Sequence, residues 1–104
     1  MGYQIYTTKR FDKEVEKLSE EENKRIDNIY QQLRKNPYVG DQLQIKVLRE
    51  KKLKEKRMHY LVFEDLEVIL MIAISNKKAQ QRVINHIINN INVFRESVIK
   101  SKEG

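Results

Sequence analysis

The second half of the chain carries three consecutive apolar runs with the spacing of β-strands. They cover residues 45–53, 58–63 and 68–74. The middle run has apolar side chains on both faces and the third is apolar throughout, which is typical of strands covered on each side. A polar link at Glu55 and an acidic turn at Glu64 and Asp65 separate the runs. Residues 45–75 are therefore predicted to form a three-stranded antiparallel meander.

The first of these runs departs from strict alternation. Leu48 and Leu53 are its apolar anchors, yet the two positions have opposite parity and would point to opposite faces of a regular strand. If both leucines face the same core, the strand needs an extra residue between them. The pattern therefore predicts a bulge or a register change near Lys51.

Two amphipathic helices are predicted before the meander. Thr8 can cap the first, and Ser19 with Glu22 three residues later forms a capping box for the second, which ends before Pro37. Their apolar stripes are Phe11, Val15 and Leu18 in the first helix and Ile26, Ile29, Tyr30 and Leu33 in the second. Both stripes need an apolar surface to cover, and the sheet is the available one.

A short strand over residues 3–7 and one long helix after residue 75 complete the pattern. The apolar stripe of that helix is Ile84, Ile87, Ile88, Ile91, Phe94 and Val98. So many large apolar groups must pack on the second face of the sheet or on another chain, since burying each stabilises by roughly 1.5–3 kcal/mol. The predicted order is β-α-α-β-β-β-α, an α+β fold. We expect one domain over residues 1–104, with a small antiparallel sheet, a helical hairpin on one face and a long C-terminal helix.

Composition narrows the possible chemistry. The chain has no cysteine and only two histidines, His59 and His86, so disulfides, thiolate catalysis and the usual Cys/His zinc sites are excluded. No phosphate-cradling glycine loop or nucleophile elbow is present, and we expect neither a metal nor a cofactor. The N-terminus lacks a secretory apolar segment, and the apolar run over 68–74 is too short to span a bilayer. A cytoplasmic protein without membrane contact is the expectation.

Basic side chains concentrate in residues 46–57. Seven of them oppose two acidic ones, a local net charge of +5 beside +6 for the whole chain. They are Lys46, Arg49, Lys51, Lys52, Lys54, Lys56 and Arg57. Such clustering is typical of a polyanion-binding surface, and nucleic acid is the commonest polyanion. The alternative is a solvated edge strand whose lysines prevent edge-to-edge association.

Three stretches of this sequence resemble the RelE/ParE toxin superfamily of prokaryotic toxin–antitoxin systems, its archaeal-type members most of all. They are YQIYTTKRFDKEVEKL at residues 3–18, NPYVGDQL at 36–43 and KRMHYLVFEDLEVILMIAIS at 56–75. Each is degenerate alone, but together they follow the family's order of strand, two helices, meander and terminal helix.

The resemblance implies a toxin that cleaves messenger RNA on the ribosome without a metal, neutralised by a small antitoxin; sister branches inhibit gyrase. By the same resemblance Lys52, Lys54 and Arg57 are candidate catalytic residues, because cationic groups stabilise charge that develops on a scissile phosphate. The expected further RNA contacts are Lys46, Arg49, Lys51, Lys56, Lys77 and Lys78. An antitoxin is expected to be acidic where it contacts this chain.

One departure from the family pattern leaves the general base open. The tyrosine that some ribonuclease members carry early in the terminal segment aligns near Val83 here. His59 is the replacement candidate, since alternation places it on the strand face of Arg57, and His86 on the terminal helix is a weaker one. Tyr60 is interpreted as core, because a tyrosine needs a lowered pKa to act as a base at neutral pH.

Two other functions fit the same residues. In the first, the basic cluster binds ribosomal RNA, DNA or an acidic protein without catalysis, as the missing tyrosine suggests. In the second, the terminal helix is the working surface, either a homodimer seam or a groove for the antitoxin. The residues of that seam would be Ile84, Ile87, Ile88, Ile91 and Phe94.

Overall fold

A computed structural model describes residues 2–104 of the chain. The elements are, in order, β1 (Gln4–Thr7), α1 (Lys9–Val15), α2 (Glu20–Lys35), β2 (Asp41–Leu43), β3 (Ile45–Leu53), β4 (Lys56–Phe63), β5 (Val68–Asn76), α3 (Gln80–Asn89) and α4 (Ile91–Glu103). The predicted α+β class, the helical hairpin and the meander over residues 45–75 are confirmed. The part of the chain that the structure describes has no helix long and apolar enough to cross a membrane.

The sheet is mixed, with strand order β1-β5-β4-β3-β2. The meander strands are antiparallel to one another, but β1 runs parallel to β5, which corrects the fully antiparallel sheet that was predicted. Alternation reports which side chains share a face and is the same for either strand direction, so it could not reveal this pairing. Between α2 and β3 the chain also forms the short strand β2, which was not predicted and pairs with β3 after a left-handed residue at Gln44 (φ 45°).

Two hydrophobic cores lie on opposite faces of the sheet. One contains Phe11 and the buried faces of α2, and the other contains the buried faces of α3 and α4. Leu53 belongs to the first core and Leu48 to the second. The expected bulge near Lys51 is therefore wrong: β3 pairs with β4 in one register from residue 48 to 53, because each leucine serves a different core. The register shift in the meander falls instead between β4 and β5, at His59 and Tyr60.

Helix α1 covers the part of the β5 edge that β1 leaves unpaired. Thr8 Oγ1 donates to the carbonyl oxygen of Ile72 (2.8 Å), and the backbone N–H of Ile74 donates to Glu14 Oε1 (2.9 Å). These bonds satisfy edge groups that an uncovered strand would expose. They also fix the first turn of α1 beside the end of β5, near the residues that follow that strand.

The predicted capping box of α2 is present. Ser19 Oγ accepts from the backbone N–H of Glu22 (3.1 Å), and Glu22 Oε1 accepts from the backbone N–H of Ser19 (3.0 Å). We expect Ser19→Ala to lower the free energy of unfolding by about 1 kcal/mol, the usual loss for an N-cap. Urea unfolding at neutral pH measures it. Ser97→Ala, at an exposed position inside α4, is the control, and an equal change in both variants would contradict the capping role.

The C-terminal helix is interrupted. The residue between α3 and α4, Asn90, has φ −128°, so the predicted single helix is two helices with a bend. Its apolar stripe packs on the sheet, the first of the two arrangements expected. Ile84, Ile87 and Val98 are buried there, and Ile88, Ile91 and Phe94 are half-buried against the same core.

Candidate nucleic-acid interface

The predicted basic residues do not share one surface. Lys52 and Arg57 are directly opposed cross-strand partners, and Lys52 alternates with Leu48 of the α3–α4 core. The pair therefore lies on the sheet face that α3 and α4 cover. Lys51 alternates with Leu53 and points to the other face. The expectation of a single basic cluster on β3 is thus wrong, because consecutive strand residues point to opposite faces.

Lys54 and Lys56 are engaged with helix α2 on that other face. Lys54, in the β3–β4 turn with φ 57°, donates from Nζ to Glu21 Oε2 (2.6 Å), and Lys56 Nζ lies 3.2 Å from Glu22 Oε2. The N-cap bond from the Ser19 backbone lowers the pKa of Glu22, and Lys56 lowers it further. These two lysines therefore bridge the turn to the helix, away from Arg57.

Arg49 and Lys46 gather around Tyr38, near β2. The Arg49 guanidinium donates to the carbonyl oxygens of Gly40 (2.9 Å), Tyr38 (3.1 Å) and Lys46 (2.9 Å). Both cations also lie over the Tyr38 ring, at 5.1 Å for Lys46 Nζ and 5.2 Å for Arg49 Cζ. Each Arg49 nitrogen is thus used to hold the segment before β2 against β3.

Lys77 and Lys78 are exposed in the turn between β5 and α3. Gln80, the first residue of α3, donates from Nε2 to Glu50 Oε1 (2.7 Å). That contact places the turn next to Glu50, which shares its strand face with Lys52.

A polar group around Arg57 occupies the sheet face beneath the start of α3. We refer to it as the Arg57 cluster; its members are Glu50, Lys52, Arg57, His59, Ser75 and Gln80. Arg57 Nε lies 3.4 Å from Glu50 Oε2, and the arginine side chain is only 16% exposed. Its terminal nitrogens have no hydrogen-bond partner within residues 2–104, whereas the Glu50 carboxylate accepts a hydrogen bond from Gln80 and pairs with Arg57 Nε. Arg57 Nε is buried and makes no hydrogen bond among the described residues, so Glu50 is paired with the guanidinium by charge alone. The outer N–H groups remain available to an external anion.

His59 is the fully buried member of the cluster. Its Nε2 lies 2.7 Å from Ser75 Oγ, and its Nδ1 lies 4.0 Å from Glu50 Oε1, too far for a hydrogen bond. Burial lowers the pKa of His59 to about 4, and the positive charges of Arg10 and Arg57 contribute. The ring is therefore neutral at physiological pH and has no surface open to a substrate.

Tyr60, weighed above as a base, is a core residue. Its hydroxyl donates to the carbonyl oxygen of Pro37 (2.7 Å) and accepts from the backbone N–H of Gly40 (3.1 Å). Burial raises the pKa of Tyr60 to about 12, which keeps the phenol protonated. The hydroxyl closes the loop before β2 onto the sheet.

Gly40 makes this closure possible. A Cβ at this position would lie 2.5 Å from the carbonyl oxygen of Glu50 and 2.6 Å from the Tyr60 hydroxyl. We expect Gly40→Ala to lower the free energy of unfolding by about 1–3 kcal/mol, as overpacking does, measured by urea unfolding. Gly2→Ala, where the nearest atom is 3.5 Å away, is the control and should unfold like the wild type. Equal midpoints for the two variants would exclude the clash.

Sequence reasoning missed three members of the Arg57 cluster, Glu50, Ser75 and Gln80. Alternation does place Glu50 on the face of Lys52, and this signal was available in the sequence. Opposing Arg57 to Ser75 requires the β4–β5 register. Predicting the contact of Gln80 with Glu50 requires the path of the turn between β5 and α3. Residue types reveal neither the strand register nor this path.

Comparison with solved structures finds the same fold in RelE toxins. A variant of the E. coli toxin RelE in the free state matches with a TM-score of 0.68 at 19% identity, over 78% of this chain and 90% of that chain. A chain of the RelE–RelB complex from Pyrococcus horikoshii OT3 gives 0.66 at 19% identity, over 74% and 97%. One from the intact E. coli RelBE toxin–antitoxin complex gives 0.64 at 18% identity, over 71% and 95%. No protein-family profile matches the chain, and a search of curated proteins finds no significant match.

The chain is therefore an α+β protein in which helices cover both faces of a five-stranded mixed sheet. More particularly, its fold is that of the RelE toxins, and the resemblance to the RelE/ParE superfamily seen in the sequence is confirmed at the level of the fold.

Proposed function

We propose that this protein is the toxin of a toxin–antitoxin system and cleaves messenger RNA on the ribosome, with Lys52 and Arg57 as the phosphate-binding pair. The observation that carries the proposal is this cross-strand pair of like charges on a RelE-type fold. Like charges directly opposite each other destabilise a sheet. Glu50 offsets part of this repulsion from the Nε side of Arg57. A phosphodiester bound between Lys52 and the terminal nitrogens would offset more of it, because a guanidinium binds that anion in two-point fashion.

In the proposed reaction the ribose 2′-hydroxyl gives its proton to water and its oxygen attacks the adjacent phosphate. A 2′,3′-cyclic phosphate forms as the bond from phosphorus to the 5′-oxygen breaks, and the 5′-oxygen leaves as a hydroxyl after protonation. Arg57 and Lys52 stabilise the charge that develops on the phosphate oxygens. Lys52, exposed beside Arg57, is the cluster member best placed to donate a proton to the leaving oxygen. Glu50 pairs with Arg57 by charge, and His59 supports that geometry from beneath as a neutral residue rather than contacting RNA.

The other predicted RNA contacts have unequal support. Lys77 and Lys78 are exposed in the turn beside the Arg57 cluster, so we retain them as contacts to the RNA backbone. Lys54 and Lys56 are paired with α2, and we assign them to stabilising the turn. The hydrogen bonds of Arg49 to the backbone around Tyr38 likewise make it a structural residue.

An antitoxin is the proposed partner, because solved relatives of this fold include RelE–RelB complexes. An acidic segment would fit the Arg57 cluster and block RNA access. A homodimer through Ile84, Ile87, Ile88, Ile91 and Phe94 has less support, since that stripe packs on the sheet. Sedimentation of the purified chain tests it, and a monomer would exclude the homodimer.

A second candidate is binding without cleavage. The position where ribonuclease relatives carry a tyrosine is close to Val83, which is buried, and His59 has no exposed surface. A member that binds ribosomal RNA or gyrase without cutting would tolerate both features.

One experiment separates these functions. The chain is expressed from an inducible promoter, and growth, transcript 5′ ends and DNA supercoiling are followed after induction. Growth arrest with new 5′ ends in translated messages, absent when translation initiation is blocked, supports the nuclease. Arrest without new ends supports a binding-only toxin, and loss of negative supercoiling indicates a gyrase inhibitor. Unimpaired growth with the protein folded and present would overturn the toxin proposal.

A further inference from the structure

A positively charged cavity lies next to the Arg57 cluster. It has a volume of about 320 Å³ and is lined by Arg10, Ala79, Arg82, Val83 and His86. Three of these side chains can carry positive charge and none is acidic. The lining comes from α1 on one side and α3 on the other, so the cavity forms where the first turn of α1 meets the start of α3.

The two arginines of this cavity keep terminal nitrogens that are not used among residues 2–104. Arg82 makes no hydrogen bond or salt bridge to any side chain of residues 2–104. Arg10 has only a 3.5 Å contact from Nε to Glu14 Oε2, and the other oxygen of Glu14 already accepts from Ile74 N–H. The terminal nitrogens of both arginines are thus available, as in Arg57.

His86 adds a hydrogen-bond donor. Asn90 Nδ2 lies 3.4 Å from His86 Nδ1, and an amide NH₂ can only donate, so Nδ1 is the acceptor and Nε2 carries the proton. The ring also packs edge-on against Phe94, with centroids 6.0 Å apart. Its Nε2–H is therefore an oriented donor on the cavity wall, one helical turn from Arg82.

The cavity and the Arg57 cluster are neighbours across the first turn of α3. Gln80 contacts Glu50 of the cluster, and Ala79 and Arg82, on either side of it, line the cavity. Arg10 is close enough to lower the pKa of the buried His59. Two groups of cations whose outer nitrogens are unused, joined by one helical turn, suit a ligand that repeats its negative charge, which is the character of a nucleic-acid backbone.

We propose that Arg10, Arg82 and His86 form an anion-binding subsite for a second phosphate of the single-stranded RNA whose scissile phosphate lies at Lys52 and Arg57. The inference rests on the proposed function. It adds a contact that positions the RNA strand across the start of α3, and it places none of these three side chains in the bond-breaking step.

The test is binding of a fluorescein-labelled, single-stranded hexaribonucleotide to the full chain, followed by fluorescence anisotropy across a range of salt concentrations. We expect the double variant Arg10→Gln/Arg82→Gln to weaken binding at least about tenfold, because two charge-assisted contacts are lost. The slope of log affinity against log salt should become shallower by about 0.7, the value for one phosphate that is no longer neutralised on a single strand. Lys100→Gln, at an exposed position on α4, is the control and should bind like the wild type.

Other outcomes overturn the subsite. If Arg57→Gln weakens binding but Arg10→Gln/Arg82→Gln leaves affinity and salt slope unchanged, the subsite is wrong and the proposed function stands. If the double variant keeps its RNA affinity but loses binding to a poly-glutamate peptide, the cavity serves an acidic protein instead. If the wild-type chain binds no RNA in isolation or on ribosomes, the subsite and the nuclease proposal fail together. Equal unfolding midpoints confirm that each variant is folded.

Discussion

Arg57→Ala is expected to reduce messenger-RNA cleavage by at least about 100-fold, the usual loss when one preorganised donor to a developing oxyanion is removed. The charge of Arg57 lies beside a buried carboxylate, with Nε 3.4 Å from Glu50 Oε2. Its terminal N–H groups have no hydrogen-bond partner among residues 2–104, so the proposed substrate is the partner that its geometry leaves open. The measurement is single-turnover cleavage of a defined message on programmed ribosomes.

Lys54, in the turn between β3 and β4, provides the control variant. Lys54→Gln removes a charge of the same sign from the β3–β4 turn, but that charge is paired with Glu21. Exposed pairs of this kind contribute about 0–1 kcal/mol, so we expect near wild-type cleavage and stability. Equal losses of cleavage in the two variants would support the single basic cluster that the sequence predicted. Full cleavage by Arg57→Ala would remove Arg57 from the site.

Removing Arg57 also takes the counter-charge away from Glu50, so the loss of stability is separated from the loss of cleavage with a second variant. Glu50 is buried, and a buried carboxylate deprived of its counter-charge destabilises a fold. Arg57→Lys keeps a positive charge near Glu50 but loses the planar fork that binds a phosphate at two points. If catalysis depends on that fork, Arg57→Lys folds like the wild type and still cleaves poorly. Wild-type cleavage by Arg57→Lys would show that charge alone is sufficient.

The elements of this fold were predictable where burial imposes a period on the sequence. The apolar stripe from Ile26 to Leu33 predicts a helix with one buried face, and the continuous apolar run of β5 predicts a strand buried on both faces. The capping box at Ser19 marks the start of α2 by its own hydrogen bonds. Strand direction has no such signal. The parallel pairing of β1 with β5 depends on how the chain turns into α1 at Thr8, through a bond to Ile72 that is distant in sequence.

The candidate site was predictable only in its residue types. A run of lysines shows that positive charge is present, whereas the parity of each position decides where the charge points. Lys52 and Lys51 are adjacent in sequence and face opposite cores, and no composition argument separates them. The break at Asn90 was hidden for a similar reason, since the apolar period continues through it from Ile87 to Phe94.

Acidification is expected to destabilise the wild-type protein by about 3 kcal/mol more than a variant without His59 between pH 7 and pH 4. The pKa of His59 falls from 6.5 in the unfolded chain to about 4 in the fold, with burial as the largest cause and Arg10 and Arg57 adding to it. The Glu50 carboxylate, 4.0 Å from Nδ1, would favour the charged ring, but burial and the two arginines outweigh it. The unfolded chain therefore binds the proton more tightly.

The stabilising contribution of neutral His59 is consequently complete above about pH 6.5 and is lost as the pH falls towards 4. His59→Gln removes this titration while an amide can still hydrogen-bond to Ser75. The free energy of unfolding of both proteins is measured by urea unfolding at several pH values. The contributions of the carboxylates, which titrate in both proteins, cancel in the difference between the two free energies. A difference that stays constant with pH would mean that the pKa of His59 is the same in the folded and the unfolded chain, and would contradict the prediction. A difference of the opposite sign, with the wild type gaining stability as the pH falls, would mean that the fold holds the ring charged beside Arg57. In that second case His59 returns as a candidate for acid–base catalysis.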